Sequence, residues 1–302
     1  MNILITGGTA FVSRTAAAHF ARRGDSVTVL NRGNRPQPEG VTSIIADRMA
    51  LGERLRGRRF DAVLDITAYT EEHVKALLDS GVQFDDYIFI SSSAVYNDAG
   101  DCVFKEDVPC GENAVWGAYG ANKRKAELYL RAHCPQAYVL RPPYLYGEWN
   151  NIYREAFVFD CADADRPFYL PREGEMRLQF FHAEDLCRFI SLLLERHPAE
   201  RVYNVGNPQA VTVREWVTLC YRAAGKEPTF VSVSGEVPQR SYFCFHDYAY
   251  YLDVSRMASL MSDTLPLDEG LRRSYKFYRR YPDCIYRRNP YLVNIAELKL
   301  GD

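Results

Sequence analysis

Among its eight cysteines the sequence has no CxxC pair, and it has no apolar run approaching the ~20 residues needed to cross a bilayer. It also has almost no net charge. Cys102, Cys110, Cys134, Cys161, Cys187, Cys220, Cys244 and Cys284 are scattered. A chain this long builds its core without disulfides, so they read as reduced thiols of a cytoplasmic protein. No HExxH, HxxxH or cysteine–histidine cluster suggests a metal site. The apolar run after Met1 is only Ile3 to Ile5 before glycines intervene, which is too short for a signal peptide. A formal charge of −2 gives no sign of a general nucleic-acid or membrane binder. Repeats, linkers and low-complexity runs are missing as well.

What is present is an ordinary soluble composition, 47% hydrophobic and 25% charged over 302 residues, enough for one large domain or two closely joined ones. The N-terminal half alternates strand and helix signals. Strands are expected at Ile3–Ile5, Val27–Leu30, Val41–Ala46, Ala62–Leu64, Tyr87–Ile90 and Ala137–Leu140. Helices are expected from about Phe11 to Arg23, over Glu71–Asp79 and over Gly117–His133. Such alternation implies an α/β fold of the Rossmann type, a doubly wound parallel sheet with right-handed crossovers. Past Gly147 the pieces become shorter and richer in proline, arginine and aromatics. The expected organisation is a dinucleotide-binding domain over 1–150, to which 179–210 returns, and a smaller substrate-binding lobe formed by 151–178 and 211–302.

Strand, then Thr6-Gly7-Gly8-Thr9-Ala10-Phe11-Val12-Ser13, then helix is the order of a dinucleotide pyrophosphate site. It makes Gly7, Thr9, Ala10, Phe11 and Val12 candidate cofactor contacts, with NAD or NADP as the cofactor. A plain tight turn is the bland reading of two glycines; the position between first strand and helix argues against it. Asn31 and Arg32 end the second strand, where NAD-specific enzymes carry an acid for the ribose. Arg32 can pair with a 2′-phosphate instead, which tilts the expectation toward NADP. Asp47 and Arg48 follow the third strand. Ile66, Thr67 and Ala68 end the fourth, at the lip where the cofactor would lie.

Tyr119 and Lys123 form a YxxxK pair, a spacing that puts phenol and ammonium on one helical face. A free phenol is a poor base at neutral pH, and a neighbouring cation favours the phenolate, so Tyr119 is the candidate proton carrier. Lys123 would also hold the nicotinamide ribose. Upstream, the strand at Tyr87–Ile90 runs into Ser91-Ser92-Ser93-Ala94-Val95-Tyr96 at the sheet's carboxyl edge, where a serine can align the reacting oxygen with Tyr119.

These motifs, with Arg141-Pro142-Pro143-Tyr144-Leu145-Tyr146-Gly147, Gln179-Phe180-Phe181-His182-Ala183-Glu184-Asp185-Leu186 and Tyr203-Asn204-Val205-Gly206, make the sequence resemble the extended short-chain dehydrogenase/reductase superfamily, especially its NAD-dependent epimerase/dehydratase branch. The resemblance covers nearly the whole chain. It implies a Ser-Tyr-Lys site of Ser92, Tyr119 and Lys123, with Ser93 the other choice. It places Asp47 on the adenine and Pro142 beside the cofactor. Further implications are a nucleotide-sugar substrate and a homodimer formed through Gly117–His133 and Glu71–Asp79. Ala10 and Ser13 stand where that superfamily's TGxxGxxG has its second and third glycines, and the Ala10 methyl narrows the approach of a pyrophosphate. Sugar 4,6-dehydratases carry an Asp-Glu pair where Ser93-Ala94 stands, so epimerisation or carbonyl reduction is expected rather than dehydration. Arg177 falls near where relatives reach a substrate nucleotide. His182 is expected to be tied to Asp185 or a backbone carbonyl, and the aromatics from Tyr242 to Tyr251 to be packing. The competing reading is a non-catalytic member that senses nucleotides or binds RNA. GGTxF, Asn31-Arg32-Gly33 and Ala46-Asp47-Arg48 resemble a branch that includes chloroplast stem-loop RNA-binding proteins, and Arg54, Arg56, Arg58 and Arg59 would supply a basic patch. The intact Ser-Tyr-Lys set favours an enzyme.

Overall fold

Every apolar position of the first strand is buried, whichever way it points. Ile3 and Ile5 enter one core cluster and Leu4 another. Burial on both faces is what a parallel sheet sandwiched between helices requires. The computed structural model describes residues 1–97, 103–233, 237–288 and 292. It places β1 (Asn2–Thr6), α1 (Phe11–Arg22), β2 (Ser26–Asn31), β3 (Thr42–Ile45), β4 (Arg59–Asp65), α2 (Glu71–Leu78), β5 (Gln83–Ile90), α3 (Gly117–His133) and β6 (Tyr138–Arg141) in the first half. There follow α4 (Glu155–Asp163), α5 (Ala183–Arg196), β7 (Val202–Asn204), α6 (Val213–Ala223) and α7 (Leu267–Arg280).

The seven strands form one parallel sheet in the order β3-β2-β1-β4-β5-β6-β7. Chain order reverses between β1 and β4, and the crevice at their carboxyl ends is the switch point where such sheets bind ligands. Ala16, Ala17 and Phe20 of α1 cover one face, and Val74 and Leu77 of α2 with Ala126 and Leu130 of α3 cover the other. β4 and β5 run longer than their apolar centres suggest. The ladder continues through Arg59↔Gln83 and Phe60↔Phe84, outside the fully buried stretch, where polar side chains reach solvent.

Residues 183–204 return to the sheet, α5 packing on α1 and β7 pairing with β6. Helices α4, α6 and α7 pack on one another, and Phe168–Pro171 pairs with Phe230–Val233. This second region has no core of its own. One continuous cluster runs from Ile3 through Phe159 and Trp216 to Tyr278. Among the described residues no helix is long and apolar enough to cross a membrane.

Candidate active site

Two clefts meet at the switch point, sharing Ala10, Ser13, Thr67, Tyr69 and Asn151 in their walls. The first, of about 580 Å³, reaches toward Ser92, Tyr119 and Lys123; the second, of about 720 Å³, runs outward past Asn31 and Arg32 to Asp47 and Arg48.

The glycine-rich turn borders both. Gly7 has φ 95°, and a Cβ there would lie 2.7 Å from Ser13 Oγ and 2.8 Å from a Thr67 methyl. Ser13 in turn donates to the Ala10 carbonyl at 2.9 Å, so it closes the turn where the superfamily pattern has glycine. Ala10 has extended backbone (φ −142°) that any residue adopts; the unusual torsion is at Phe11, φ 38°. No side chain caps α1 and no acid stands in its first turn. Its leading N–H groups therefore face the cleft without a protein acceptor, which is an arrangement fitted to an anion. The Asn31 amide donates to the Gly7 carbonyl at 2.8 Å and fastens the turn to the end of β2. Arg32 is exposed, and Asn34 and Arg35 line the same cleft beside it.

Asp65, fully buried at the end of β4, accepts from Thr6 Oγ1 (2.8 Å), Tyr87 Oη (2.6 Å) and Arg48 Nη2 (2.9 Å). Thr6 Oγ1 also accepts the amides of Ile66 and Thr67, so the two strand ends at the switch point are tied together. The Nε and Nη1 of Arg48 are buried without a partner at the wall of the second cleft. Asp47 turns one oxygen to the Met49 amide at 2.8 Å.

The three consecutive serines do three different things. Ser91 donates to Glu127 at 2.6 Å, Ser93 to Tyr250 at 3.0 Å, and Ser92 lines the cleft with Tyr119 and favours its phenolate. Ser92 Oγ also accepts the Ala94 amide at 3.1 Å. Gly120 makes the approach possible, since a Cβ there would lie 2.2 Å from the Ala94 carbonyl oxygen. The Tyr119 ring is 42% exposed, but its hydroxyl end is desolvated, which pushes the phenol pKa up; Ser92 and Arg154 oppose the rise.

Lys123 lines the same cleft. Its ammonium donates to the carbonyls of Ala68 and Ile90, both at 2.7 Å, and burial pushes its pKa down to about 7. Arg154, from a part of the chain that carries no recognisable motif, adds a further positive charge near the phenol. Two of the three lysine donors are occupied, and the third remains for a ligand at the cleft. Pro142 lines the same cleft, and its carbonyl accepts from the Ser93 amide at 2.9 Å.

Behind the cleft, Arg141 grips Glu127 through Nε (3.0 Å) and Nη2 (2.7 Å), both groups being buried. His182 differs from its expected partner: Nδ1 accepts the Glu184 amide at 3.2 Å and Nε2 lies 3.4 Å from Glu148, while Asp185 pairs with Arg188. Arg177 is exposed and lies outside both clefts. The late aromatics are packing, except that His246 and Tyr250 reach the first cleft. Tyr69, Val115, Trp116, Asn151, Ile152 and Arg154 also line the first cleft and were not marked by the sequence, since no spacing rule picks them out.

A parallel sheet with an uncapped glycine-turn helix at its switch point is a Rossmann-type fold. Residues 67–206 match the model of the NAD dependent epimerase/dehydratase family, and the fold is that of the extended short-chain dehydrogenases/reductases, as the motifs implied. Over 301 residues the chain is 27% identical to the chloroplast stem-loop binding protein of 41 kDa b from Arabidopsis thaliana, covering 90% of this chain and 78% of the relative. It is 24% identical over 330 residues to a dTDP-glucose 4,6-dehydratase from Streptomyces niveus, covering 92% and 93%. The UDP-glucose 4-epimerase of Thermotoga maritima, solved with UDP-glucose, superposes with a TM-score of 0.74 at 19% identity, covering 93% of this chain and 100% of that one. Other structures with this fold were solved with NAD or with UDP-glucuronic acid. The expectation against dehydration finds no support among these relatives, which include dehydratases.

Proposed function

We propose that the chain is an NAD(P)-dependent epimerase or reductase acting at a hydroxyl or keto carbon of a nucleotide-linked sugar. The observation that carries this reading is that Ser92, Tyr119 and Lys123 line one cleft, continuous with the uncapped N-terminus of α1. In it, Tyr119 takes the proton from the substrate hydroxyl or returns it to the carbonyl, and Ser92 orients the reacting oxygen. Lys123 holds the nicotinamide ribose with its remaining donor. Gly7, Thr9, Ala10, Phe11 and Val12 border the pyrophosphate, Asp47 and Arg48 the adenine end, and Ile66, Thr67, Ala68 and Pro142 the middle. A bound nicotinamide supplies the hydride chemistry.

NADP is preferred in this reading, because Arg32, Asn34 and Arg35 line the adenosine end and no acid closes β2. Residues 1–150 with 179–210 carry the cofactor, and 151–178 with 211–302 the substrate. No carboxylate lines the first cleft among the described residues. With Ser93 bonded to Tyr250 and Ala94 buried, neither supplies the acid that the Asp-Glu pair of the dehydratases would, which favours epimerisation or reduction over dehydration. The RNA-binding alternative is weaker. Arg56 pairs with Glu53 and Arg59 with Asp85, and Arg54 turns back on the carbonyls of Ala50 and Leu51, so half of the basic patch is offset by acids. Titrating NAD, NADH, NADP and NADPH against protein fluorescence, followed by a nucleotide-sugar panel, tests the proposal; no binding of any cofactor at millimolar concentration would defeat it.

A further inference from the structure

Arg154 precedes the first turn of α4 and lines the cleft that contains Tyr119. Its guanidinium lies over the ring of Tyr144 at 4.8 Å and that of Phe245 at 5.3 Å. Nε is buried with no hydrogen-bond partner, and no ion pair reaches this arginine among the described residues. The adjacent Glu155 does not neutralise it. That carboxylate accepts from Asn150 Nδ2 at 3.0 Å through each oxygen and from the Gly147 amide at 3.4 Å. Burial raises the Glu155 pKa, and these hydrogen bonds and Arg154 oppose the rise. Arg240 adds a second positive field here: burial lowers the His246 pKa, and Arg240 and Arg154 lower it further. His246 therefore presents a neutral imidazole to the cleft, its ring edge-on to Trp116 at 5.2 Å.

A half-buried guanidinium that lies over aromatic faces, lines the cleft and has no ion-pair partner among the described residues is placed to take an anionic group of a ligand entering there. Arg154 lines the same cleft as Tyr119 and Ser92. An anion it takes therefore shares that cleft with the reacting carbon, and a ring carboxylate is the group that a nucleotide sugar can place there. The diphosphate is held off at the anomeric end of the ring. We propose that Arg154, assisted by His246, recognises a carboxylate on the sugar ring, so that the substrate is a nucleoside-diphosphate uronic acid in preference to a neutral hexose. This rests on the nucleotide-sugar reading above and narrows it.

The test is calorimetric titration of the cofactor-loaded protein with UDP-glucuronate, UDP-glucose and UDP, and with the thymidine counterparts of the last two. Wild type should bind the uronate at least about tenfold more tightly than the hexose, the worth of one charge-assisted contact. Arg154→Met should bring that ratio to about one, and Arg154→Lys, which keeps the charge, should preserve part of it. Equal affinity of wild type for uronate and hexose would overturn the carboxylate assignment and leave the nucleotide-sugar reading standing. So would an Arg154→Met variant that lost as much affinity for UDP alone as for the uronate. Failure of every nucleotide and nucleotide sugar to bind would overturn both.

Discussion

Removing the carboxylate of Glu127 should both destabilise the fold and loosen the site. Glu127 stands one turn beyond Lys123 on α3 and is 1% exposed. It accepts from Ser91 at 2.6 Å, from Arg141 at 3.0 and 2.7 Å, and from Arg124 at 3.0 Å. Burial opposes its ionisation, but Arg141, Ser91 and Arg124 outweigh that and hold its pKa below the usual carboxylate range. Glu127→Ala leaves the buried Arg141 with only the Tyr96 hydroxyl and the Glu106 carbonyl, both uncharged. Breaking a buried pair in this way costs ~3–5 kcal/mol. Replacing both partners by apolar residues, as in Glu127→Leu with Arg141→Met, should cost less than the single change, because no charge is stranded. Urea unfolding with a constant slope is the assay. Because the native pKa is depressed, the pair's contribution is present above the unfolded value of ~4.3 and lost as pH falls through the native value. Glu127→Gln should lack that acid-sensitive component. A Glu127→Ala variant within ~1 kcal/mol of wild type would refute the reasoning, since so small a loss is that of an exposed pair.

Three further outcomes follow from the site. Lys123→Met should lower turnover and weaken cofactor affinity about tenfold, the worth of one lost charge-assisted bond, read by fluorescence titration. Unchanged cofactor affinity would remove Lys123 from the ribose. Arg32→Ala should weaken NADP more than NAD, and equal losses would remove the basis for preferring NADP. Helices α2 and α3 pack side by side, with Leu128 of α3 50% exposed, so a homodimer through this face should sediment at micromolar concentration; a monomer alone would contradict it.

The sheet was legible because parallel strands buried on both faces read as short apolar runs, and their order is set by the helices between them. The edges of β4 and β5 were not, because polar residues there extend the ladder into solvent without an apolar signature. Tyr119, Lys123 and the serine run could be found by spacing along one helix and one strand. What spacing could not foresee was their electrostatic arrangement. The carbonyls of Ala68 and Ile90 draw Lys123 inward, and they come from chain ends that meet only in the folded sheet. Arg154 was invisible, and His246 was read only as packing, for a related reason: they are far apart in the chain, and each is an ordinary residue until the fold brings both to one cleft.

The central claim is that the Tyr119 phenol moves the proton at the reacting carbon. Tyr119→Phe keeps the ring between Tyr69 and the cleft but removes the hydroxyl that Ser92 orients. Turnover of Tyr119→Phe, measured by reduced-nicotinamide absorbance or product exchange on a substrate from the nucleotide-sugar panel, should fall by ~10²–10⁴-fold with cofactor binding retained. Full turnover by that variant, on a substrate the wild-type protein converts, would contradict the account.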